Sequence, residues 1–93
     1  MITVYSKNNC PFCVQAKSLL QLKGIEFEEV KIDETPEARE FVLAEGHRTV
    51  PQLYRKGRVL VEGGFQGLQR QSEEWWNMLK EGLDTFLLSD LWE

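Results

Sequence analysis

Short apolar segments and one longer segment of helical periodicity alternate along the first third of the chain. Residues 2–5 read Ile-Thr-Val-Tyr, a β-branched and aromatic run that predicts a buried strand. Apolar residues then recur at helical spacing from Pro11 onward, which predicts a helix. This helix is expected to end at Gly24, a residue suited to the left-handed C-cap position. Residues 25–32 alternate between apolar and polar side chains, with one slip near Glu29 that a bulged strand would accommodate. Strand, helix and strand in this order predict a parallel pair with a right-handed crossover.

A second helix and a hairpin are predicted in the middle of the chain. Thr35 is suited to the N-cap position and Pro36 to the first helical position, so a helix is expected to start there. Residues 52–54 and 58–62 carry side chains that favour strands, and Lys56-Gly57 between them predicts a tight two-residue turn. These two strands are therefore expected to form an antiparallel hairpin.

The end of the chain is predicted to be helical. A third helix is expected from about Gln66 to Lys80, and a short amphipathic helical extension within residues 81–93. This extension is expected either to pack on the domain or to dock a partner, with packing favoured. Alternating units followed by a hairpin and a helix predict an α/β fold, with a mixed four-stranded sheet flanked by three helices.

Size and composition indicate one ordinary globular domain. The chain has 93 residues, of which 42% are apolar and 28% charged. Since no apolar run approaches the roughly 20 residues that cross a bilayer, and no secretory signal is recognisable, a cytoplasmic location is expected, in the host if the source is viral. The net charge of −4 argues against nucleic acid as a partner, because phosphate contacts need a basic patch. We expect a monomer that binds neither nucleic acid nor membrane.

Both cysteines of the chain lie in Cys10-Pro11-Phe12-Cys13, between the first strand and the first helix. Two cysteines at this spacing lie one helical turn apart and can form a small disulfide ring, which is typical of a redox motif. Pro11 suits the first helical position, so Cys10 is the expected N-cap, where the helix dipole favours a thiolate. We therefore predict that Cys10 is the nucleophile and that Cys13, further inside the helix, is the resolving thiol.

Two other interpretations of the cysteine pair remain open at this point. A purely structural disulfide would stabilise little across so short a loop and would be unusual in the cytoplasm. A zinc site needs about four ligands, and the chain offers only one histidine, His47, beyond this pair. His47 itself is interpreted as a surface residue at a helix end. No bound metal or organic cofactor is expected.

The order of three motifs resembles that of the glutaredoxin family, which has the thioredoxin fold. The motifs are Lys7-Asn8-Asn9-Cys10-Pro11-Phe12-Cys13, then Thr49-Val50-Pro51, then Gly63-Gly64. The resemblance covers residues 1–80 and implies a sheet in the order 2-1-3-4, a glutaredoxin-like domain over that range, and a cis peptide bond before Pro51. In that family the residue before the proline pairs through its backbone with an extended thiol substrate, and here that residue is Val50.

The resemblance also implies a set of residues that bind glutathione or another substrate. Lys7 is expected to pair with a glutathione carboxylate, with Arg39 and Arg48 as further candidates. The alternative for each of these three residues is a solvated surface position. The full set of expected binding residues is Lys7, Pro11, Phe12, Thr49, Val50, Pro51, Gly63, Gly64, Phe65 and Gln66.

One position departs from the family pattern. Members that use glutathione usually carry an aspartate two residues after the glycine pair, where this chain has Gln66. A neutral amide cannot offer the glutathione ammonium a full negative charge. Gly64-Phe65-Gln66 also resembles the redoxins that donate electrons to ribonucleotide reductase and are recharged by thioredoxin reductase, although their central pair, usually Val-Gln, differs from Pro11-Phe12.

The resemblance implies a glutathione-dependent thiol-disulfide oxidoreductase as the first functional hypothesis. It would reduce protein disulfides and glutathionyl mixed disulfides, with ribonucleotide reductase as one implied recipient of electrons, and glutathione would act as its reducing co-substrate. The second hypothesis is a redoxin recharged by thioredoxin reductase. The third, from a different class, is a binding subunit with the same fold whose thiols are unused.

Overall fold

The computed structural model describes residues 2–80, in which four strands and four helices follow one another. The predicted helical extension over residues 81–93 lies outside the described residues. The elements are β1 (Ile2–Ser6), α1 (Pro11–Leu22), β2 (Phe27–Lys31), α2 (Pro36–Ala44), β3 (Gln52–Arg55), β4 (Arg58–Val59), α3 (Gly64–Gln69) and α4 (Glu73–Lys80).

The four strands form one mixed sheet in the order β2-β1-β3-β4, which confirms the predicted topology. β1 is a central strand, parallel to β2 and antiparallel to β3, and β4 pairs with β3 at the edge. Because β1 is bonded on both sides, the loop that follows it starts from a strand held by both neighbours. That loop leads directly to α1 and to the two cysteines.

β2 contains no bulge, because its register against β1 runs without a break from Ile2 opposite Phe27 to Ser6 opposite Lys31. The irregular position, Glu29, has polar partners instead. Its carboxylate accepts hydrogen bonds from the Lys17 ammonium, at 2.7 Å, and from the hydroxyl of the fully buried Ser6. The hydrogen bond from Lys17, with that from Ser6, holds the pKa of Glu29 below its usual value. The slip in the apolar pattern therefore marks an ion pair between β2 and α1.

The hairpin turn has the predicted two residues, but its second strand is shorter than predicted. Lys56 and Gly57 both have positive φ, 52° and 78°, as a type I′ turn requires. β4 covers only Arg58 and Val59 of the predicted residues 58–62, although the Leu60 N–H still donates to the Leu53 carbonyl. The chain then leaves the sheet, and Val61 enters the core.

The predicted third helix is divided into α3 and α4. Ser72 separates them, since its side-chain oxygen accepts a hydrogen bond from the Trp75 N–H, at 3.2 Å, as an N-cap residue does. Glu73 and Glu74 then place negative charge in the first turn of α4, where the helix dipole favours it. The new start directs Trp76 and Leu79 into the core.

Apolar layers cover both faces of the sheet. On one face a core of ten buried residues joins the sheet to α1, α3 and α4, and on the other Tyr5 and Tyr54 lie against Phe41 of α2, with ring centroids 5.3–5.5 Å apart. The architecture is thus the predicted α/β sandwich. The residues of the larger core are Ile2, Val4, Ala16, Leu20, Ile25, Leu53, Val61, Leu68, Trp76 and Leu79.

Replacing Gly67 with alanine is expected to destabilise the protein. An added Cβ would lie 1.8 Å from the Glu62 carbonyl oxygen, so α3 would have to move from its place beside the preceding loop. We expect a loss of about 1–3 kcal/mol in the free energy of unfolding, whereas alanine in an open helix usually stabilises by about 0.5–1 kcal/mol relative to glycine. Urea unfolding followed by tryptophan fluorescence measures the change. Gln21→Ala, at an exposed position of α1, is the control, and a Gly67→Ala protein as stable as the parent would contradict the close contact.

Candidate functional site

The two cysteines form a disulfide at the start of α1. Cys10 is the N-cap, as predicted, and Pro11 occupies the first helical position. The Cα atoms of Cys10 and Cys13 are 5.2 Å apart, and the Cys13 N–H donates a hydrogen bond to Cys10 Sγ at 3.2 Å. A backbone donor and the helix N-terminus therefore both face the sulfur of Cys10, where they favour negative charge.

The two sulfurs differ in their access to solvent. Cys10 retains 8% of its surface and Cys13 only 1%, so an incoming molecule reaches Cys10 first. Cys13, which was predicted to lie further inside the helix than Cys10, is thus the less exposed of the two sulfurs.

The segment before β3 faces the cysteines. The Val50–Pro51 peptide bond is cis, the geometry that the resemblance implied, and the Val50 carbonyl oxygen lies 3.8 Å from Cys10 Sγ. The Gln52 side-chain amide donates to the Thr49 carbonyl at 2.9 Å, which helps to hold this segment in place. Gly64, with φ of +56°, approaches from α3 so closely that a Cβ there would lie 2.6 Å from the Pro51 carbonyl oxygen.

A groove of about 600 Å³ runs between this segment and the start of α3. Phe12 and Phe65 stand at one side of it with their rings stacked, 6.3 Å between centroids, and Phe12 is half exposed. Most of the predicted binding residues line the groove, whereas Lys7 and Pro11 line a neighbouring cavity that includes both cysteines. The predicted residues that line the groove are Phe12, Thr49, Val50, Pro51, Gly63, Gly64, Phe65 and Gln66.

His47 also lines the groove, although its position in the sequence predicted a surface residue at a helix end. Its Nε2 lies 2.7 Å from the Tyr54 hydroxyl, and that hydroxyl donates to Glu45 at 3.2 Å. Burial, with a smaller effect of Glu45, raises the pKa of Tyr54 to about 12, so the phenol stays protonated and can donate. No spacing in the sequence links a residue after α2 to the middle of β3, so only the tertiary structure shows this arrangement.

A small cavity beside the groove is lined by three cationic side chains. Lys7, Arg39 and Arg48 all border this space of about 180 Å³, together with Thr49 and Val50. All three are exposed, and within residues 2–80 none of their side chains has a hydrogen-bond or ion-pair partner. The structure therefore brings together the three cations that the resemblance named, next to the backbone of Val50.

Within residues 2–80 the structure has neither a metal-binding cluster nor a membrane-spanning helix. No group of three or more histidine, cysteine, aspartate or glutamate side chains in that part of the chain could hold a metal ion. None of its helices is long and apolar enough to span a membrane.

The fold and the cysteine pair define a class of protein: a thioredoxin-like domain with a Cys-x-x-Cys motif at a helix start and a cis-proline opposite. The sequence model of the family described as Glutaredoxin matches residues 2–60. The chain belongs to the glutaredoxin family.

The relatives with similar sequences include proteins named glutaredoxin and proteins named NrdH. A probable glutaredoxin of Synechocystis is 47% identical over 55 residues, 57% of this chain and 50% of that protein. The glutaredoxin-like protein NrdH of Lactococcus lactis is 49% identical over 53 residues, 57% of this chain and 74% of that protein. The chain spans between 50% and 64% of the length of the first curated glutaredoxins that it matches.

The similarity to a solved structure covers more of the chain than the sequence matches do. The solution structure of glutaredoxin from Brucella melitensis has a TM-score of 0.67 and 34% identity, and it covers 87% of this chain and 89% of its own. The matched family region ends at residue 60, so Gly63 to Gln66, where the chain departs from the glutathione-binding pattern, lie beyond it.

Gly64→Ala is expected to slow thiol-disulfide exchange. The added Cβ would collide with the Pro51 carbonyl oxygen and push the Val50 segment away from Cys10, and such misplacement lowers rates by roughly ten- to a hundredfold. The rate of exchange with a small disulfide measures the effect. Gly46→Ala is the matched control, because Gly46 also has a positive φ, 88°, but a Cβ there meets nothing within 4 Å. Equally slow exchange in the two variants would show that backbone strain, and not the collision with Pro51, lowers the rate.

Proposed function

We propose that this protein is a dithiol oxidoreductase that reduces protein disulfides and glutathionyl mixed disulfides. The observation that carries the proposal is the position of Cys10, at the N-cap of α1, bonded to Cys13 and with its sulfur 3.8 Å from the carbonyl oxygen of Val50, which lines the groove. A structural disulfide alone would need neither the groove nor the cationic cavity beside it.

The reaction uses the two thiols in turn. The Cys10 thiolate attacks one sulfur of the substrate disulfide, forms a bond to it, and releases the other sulfur as a thiolate that takes up a proton. The Cys13 thiol then loses its proton and attacks Cys10 Sγ, so that the Cys10–Cys13 bond forms and the second substrate thiolate leaves. Two electrons pass from the cysteines to the substrate. Two glutathione molecules return them and become glutathione disulfide.

The groove and the cationic cavity suit glutathione as the reductant. The backbone of Val50 lies beside Cys10, where an extended cysteinyl peptide can pair with it as an added strand would. Lys7, Arg39 and Arg48 lie next to Val50, so a carboxylate at one end of that peptide would meet positive charge. The stacked rings of Phe12 and Phe65 provide an apolar wall of the groove.

The other end of the groove supports a second candidate function. Gln66 lines it and carries no charge, so the ammonium of a γ-glutamyl group would lack the carboxylate that glutathione-using members usually offer. The NrdH protein of Lactococcus lactis is also as similar as the glutaredoxins are. The second candidate is therefore a redoxin recharged by thioredoxin reductase, and either form is a candidate electron donor to ribonucleotide reductase.

Replacing each cysteine in turn tests the roles of the two thiols. Cys10→Ser is expected to abolish exchange, since the attacking thiolate is gone. Cys13→Ser is expected to accumulate mixed disulfides with protein substrates but still to remove glutathione from glutathionylated substrates, which needs only Cys10. Mass spectrometry of trapped intermediates and a deglutathionylation assay measure these outcomes. The roles are reversed if Cys13→Ser is as inactive as Cys10→Ser in deglutathionylation and if, in the reduced parent protein, Cys13 is alkylated faster than Cys10.

Gln66→Asp is expected to strengthen the use of glutathione. A carboxylate at this position would restore a charge-assisted hydrogen bond to the ammonium, worth about 1.5–3 kcal/mol when well formed. The KM for glutathione should therefore fall, as measured by NADPH consumption with glutathione reductase.

Gln69→Asp is the control for that change. Gln69 is an exposed residue of α3 outside the groove, so this substitution adds the same charge away from the proposed binding site. An unchanged KM in Gln66→Asp would show that residue 66 does not contact glutathione. The parent protein is tested in parallel with thioredoxin reductase in place of glutathione and its reductase. NADPH consumption only with thioredoxin reductase would establish the redoxin function and overturn the glutathione-dependent one.

A further inference from the structure

The loop that leads from β1 to Cys10 is tied to the segment at the end of β2. Asn8 lies in the middle of this loop, and both its backbone N–H and its side-chain amide donate to Asp33 Oδ2 at 3.0 Å. The same amide nitrogen donates to Glu34 at 2.7 Å, and the Asn8 side-chain oxygen accepts from the Lys31 ammonium at 3.0 Å. Every polar group of the Asn8 side chain is therefore engaged. We call these hydrogen bonds the Asn8 clamp.

Asp33 is the member of the clamp that holds the backbone of the loop. The backbone N–H of Asn8, and to a lesser extent its side-chain amide, hold the pKa of Asp33 below its usual value. Asp33 is thus a carboxylate at neutral pH, which makes it a strong acceptor. It lines neither the groove nor the two cavities beside the cysteines and Val50, so it can affect the site only through the loop or through its charge.

Lys7 precedes Asn8 and stands between those two cavities. One of them, of about 520 Å³, is lined by both cysteines, and the other is the cavity of about 180 Å³ that Arg39 and Arg48 also line. Among residues 2–80, Lys7 alone lines both. Its position therefore links the cationic cavity to the cysteine pair.

The clamp acts directly on the backbone of Lys7. The N–H that Asn8 donates to Asp33 belongs to the peptide bond between Lys7 and Asn8, so this hydrogen bond fixes the plane of that peptide. The Lys7 side chain has no hydrogen-bond or ion-pair partner of its own within residues 2–80. The backbone is therefore what places the Lys7 ammonium between the two cavities.

We propose that Asp33 is a positioning residue that, through Asn8, holds Lys7 where it selects substrates with a carboxylate near their disulfide. This inference rests on the proposed function, in which Lys7 pairs with a carboxylate of glutathione. Lys7 touches the substrate in that function, and Asp33 does not. The clamp reduces the number of positions that the Lys7 ammonium samples, so less conformational freedom is lost when a carboxylate binds.

Position and charge predict opposite effects of losing Asp33. Asp33→Ala removes a negative charge close to Lys7, which by itself would strengthen the attraction of an anion. The same substitution releases the Asn8 N–H and frees the backbone of Lys7, which weakens the binding of a carboxylate. Asp33→Asn also removes the charge but keeps a side-chain oxygen that can accept the N–H. If Asp33 acts by position, Asp33→Ala lowers the selectivity for an anion and Asp33→Asn largely preserves it.

Two forms of one disulfide measure this selectivity on the full chain. The reduced protein is oxidised either by glutathione disulfide or by the same compound with its glycyl carboxylates blocked as ethyl esters. Each oxidation forms the Cys10–Cys13 bond and releases both halves of the reagent as thiols. Alkylation of the remaining protein thiols, read by mass spectrometry, gives the second-order rate. The ratio of the two rates is the selectivity for the carboxylate, and partial unfolding leaves it unchanged because both rates fall together.

The parent is expected to react faster with the carboxylate form. Lys7→Met should lower the ratio about two- to fivefold, as for the loss of an exposed ion pair, and Asp33→Ala should lower it by a similar factor. In the Lys7→Met background Asp33→Ala should have no further effect, because the residue that it positions is gone. Glu28→Ala is the control and should not lower the ratio, since it removes a carboxylate from another exposed hydrogen bond, with Thr3, and Glu28 lines neither cavity.

The results distinguish a failure of this inference from a failure of the function beneath it. If Lys7→Met keeps the parent ratio, Lys7 does not bind the carboxylate, and the proposed glutathione contact fails together with this inference. If Lys7→Met lowers the ratio but Asp33→Ala leaves or raises it, the contact at Lys7 stands and the inference is overturned. An equal loss in Asp33→Asn, or a loss from Asp33→Ala that persists in the Lys7→Met background, would also overturn it.

Discussion

The N-cap of α1 is the contact on which the rest of the site depends. The first N–H groups of a helix lack partners within it, and here Cys10 Sγ accepts the N–H of Cys13, so the sulfur that is proposed to react is also the cap of its helix. β1, bonded on both sides, and the proline at the first helical position hold that junction in place. A single hydrogen bond thus serves both the start of α1 and the charge that the thiolate would carry.

Close approaches between backbone segments then form the groove that Val50 lines. Gly64 lies against the Pro51 carbonyl and Gly67 against the Glu62 carbonyl, with no room for a side chain at either position. The contact at Gly64 brings the start of α3 against the segment that carries Val50, and the contact at Gly67 holds α3 against the loop that precedes it. The shape of the groove therefore depends on the absence of side chains at these two glycines. Its apolar wall comes from Phe12 and Phe65.

The charges around the site are distributed unevenly. Lys7, Arg39 and Arg48 surround one small cavity, whereas Gln66 at the groove carries no charge. The family match covers residues 2–60 and includes the cysteines and Val50, but it ends before Gln66. The cysteines and Val50 thus lie in the part matched to the glutaredoxin family, and Gln66, the residue proposed to separate the two candidate reductants, lies after it.

Local signals in the sequence were enough to predict most of the fold. The Cys-Pro-Phe-Cys motif, the starts of α1 and α2 at Pro11 and Pro36, and the Lys56-Gly57 turn depend on residues close together in the chain, so their patterns are readable directly. Ser72 followed by two glutamates was also a local signal for a new helix, but the apolar spacing around it favoured one continuous helix.

Other features were decided only by the tertiary structure, because their partners are distant in the sequence. The slip at Glu29 predicted a bulge, but Lys17 and Ser6 satisfy that side chain and the strand stays regular. His47 was assigned to the surface, yet Tyr54 from β3 places it at the groove. Periodicity reports which face of an element is apolar. It does not report which polar side chains of separate elements meet, since that depends on how the sheet and helices pack together.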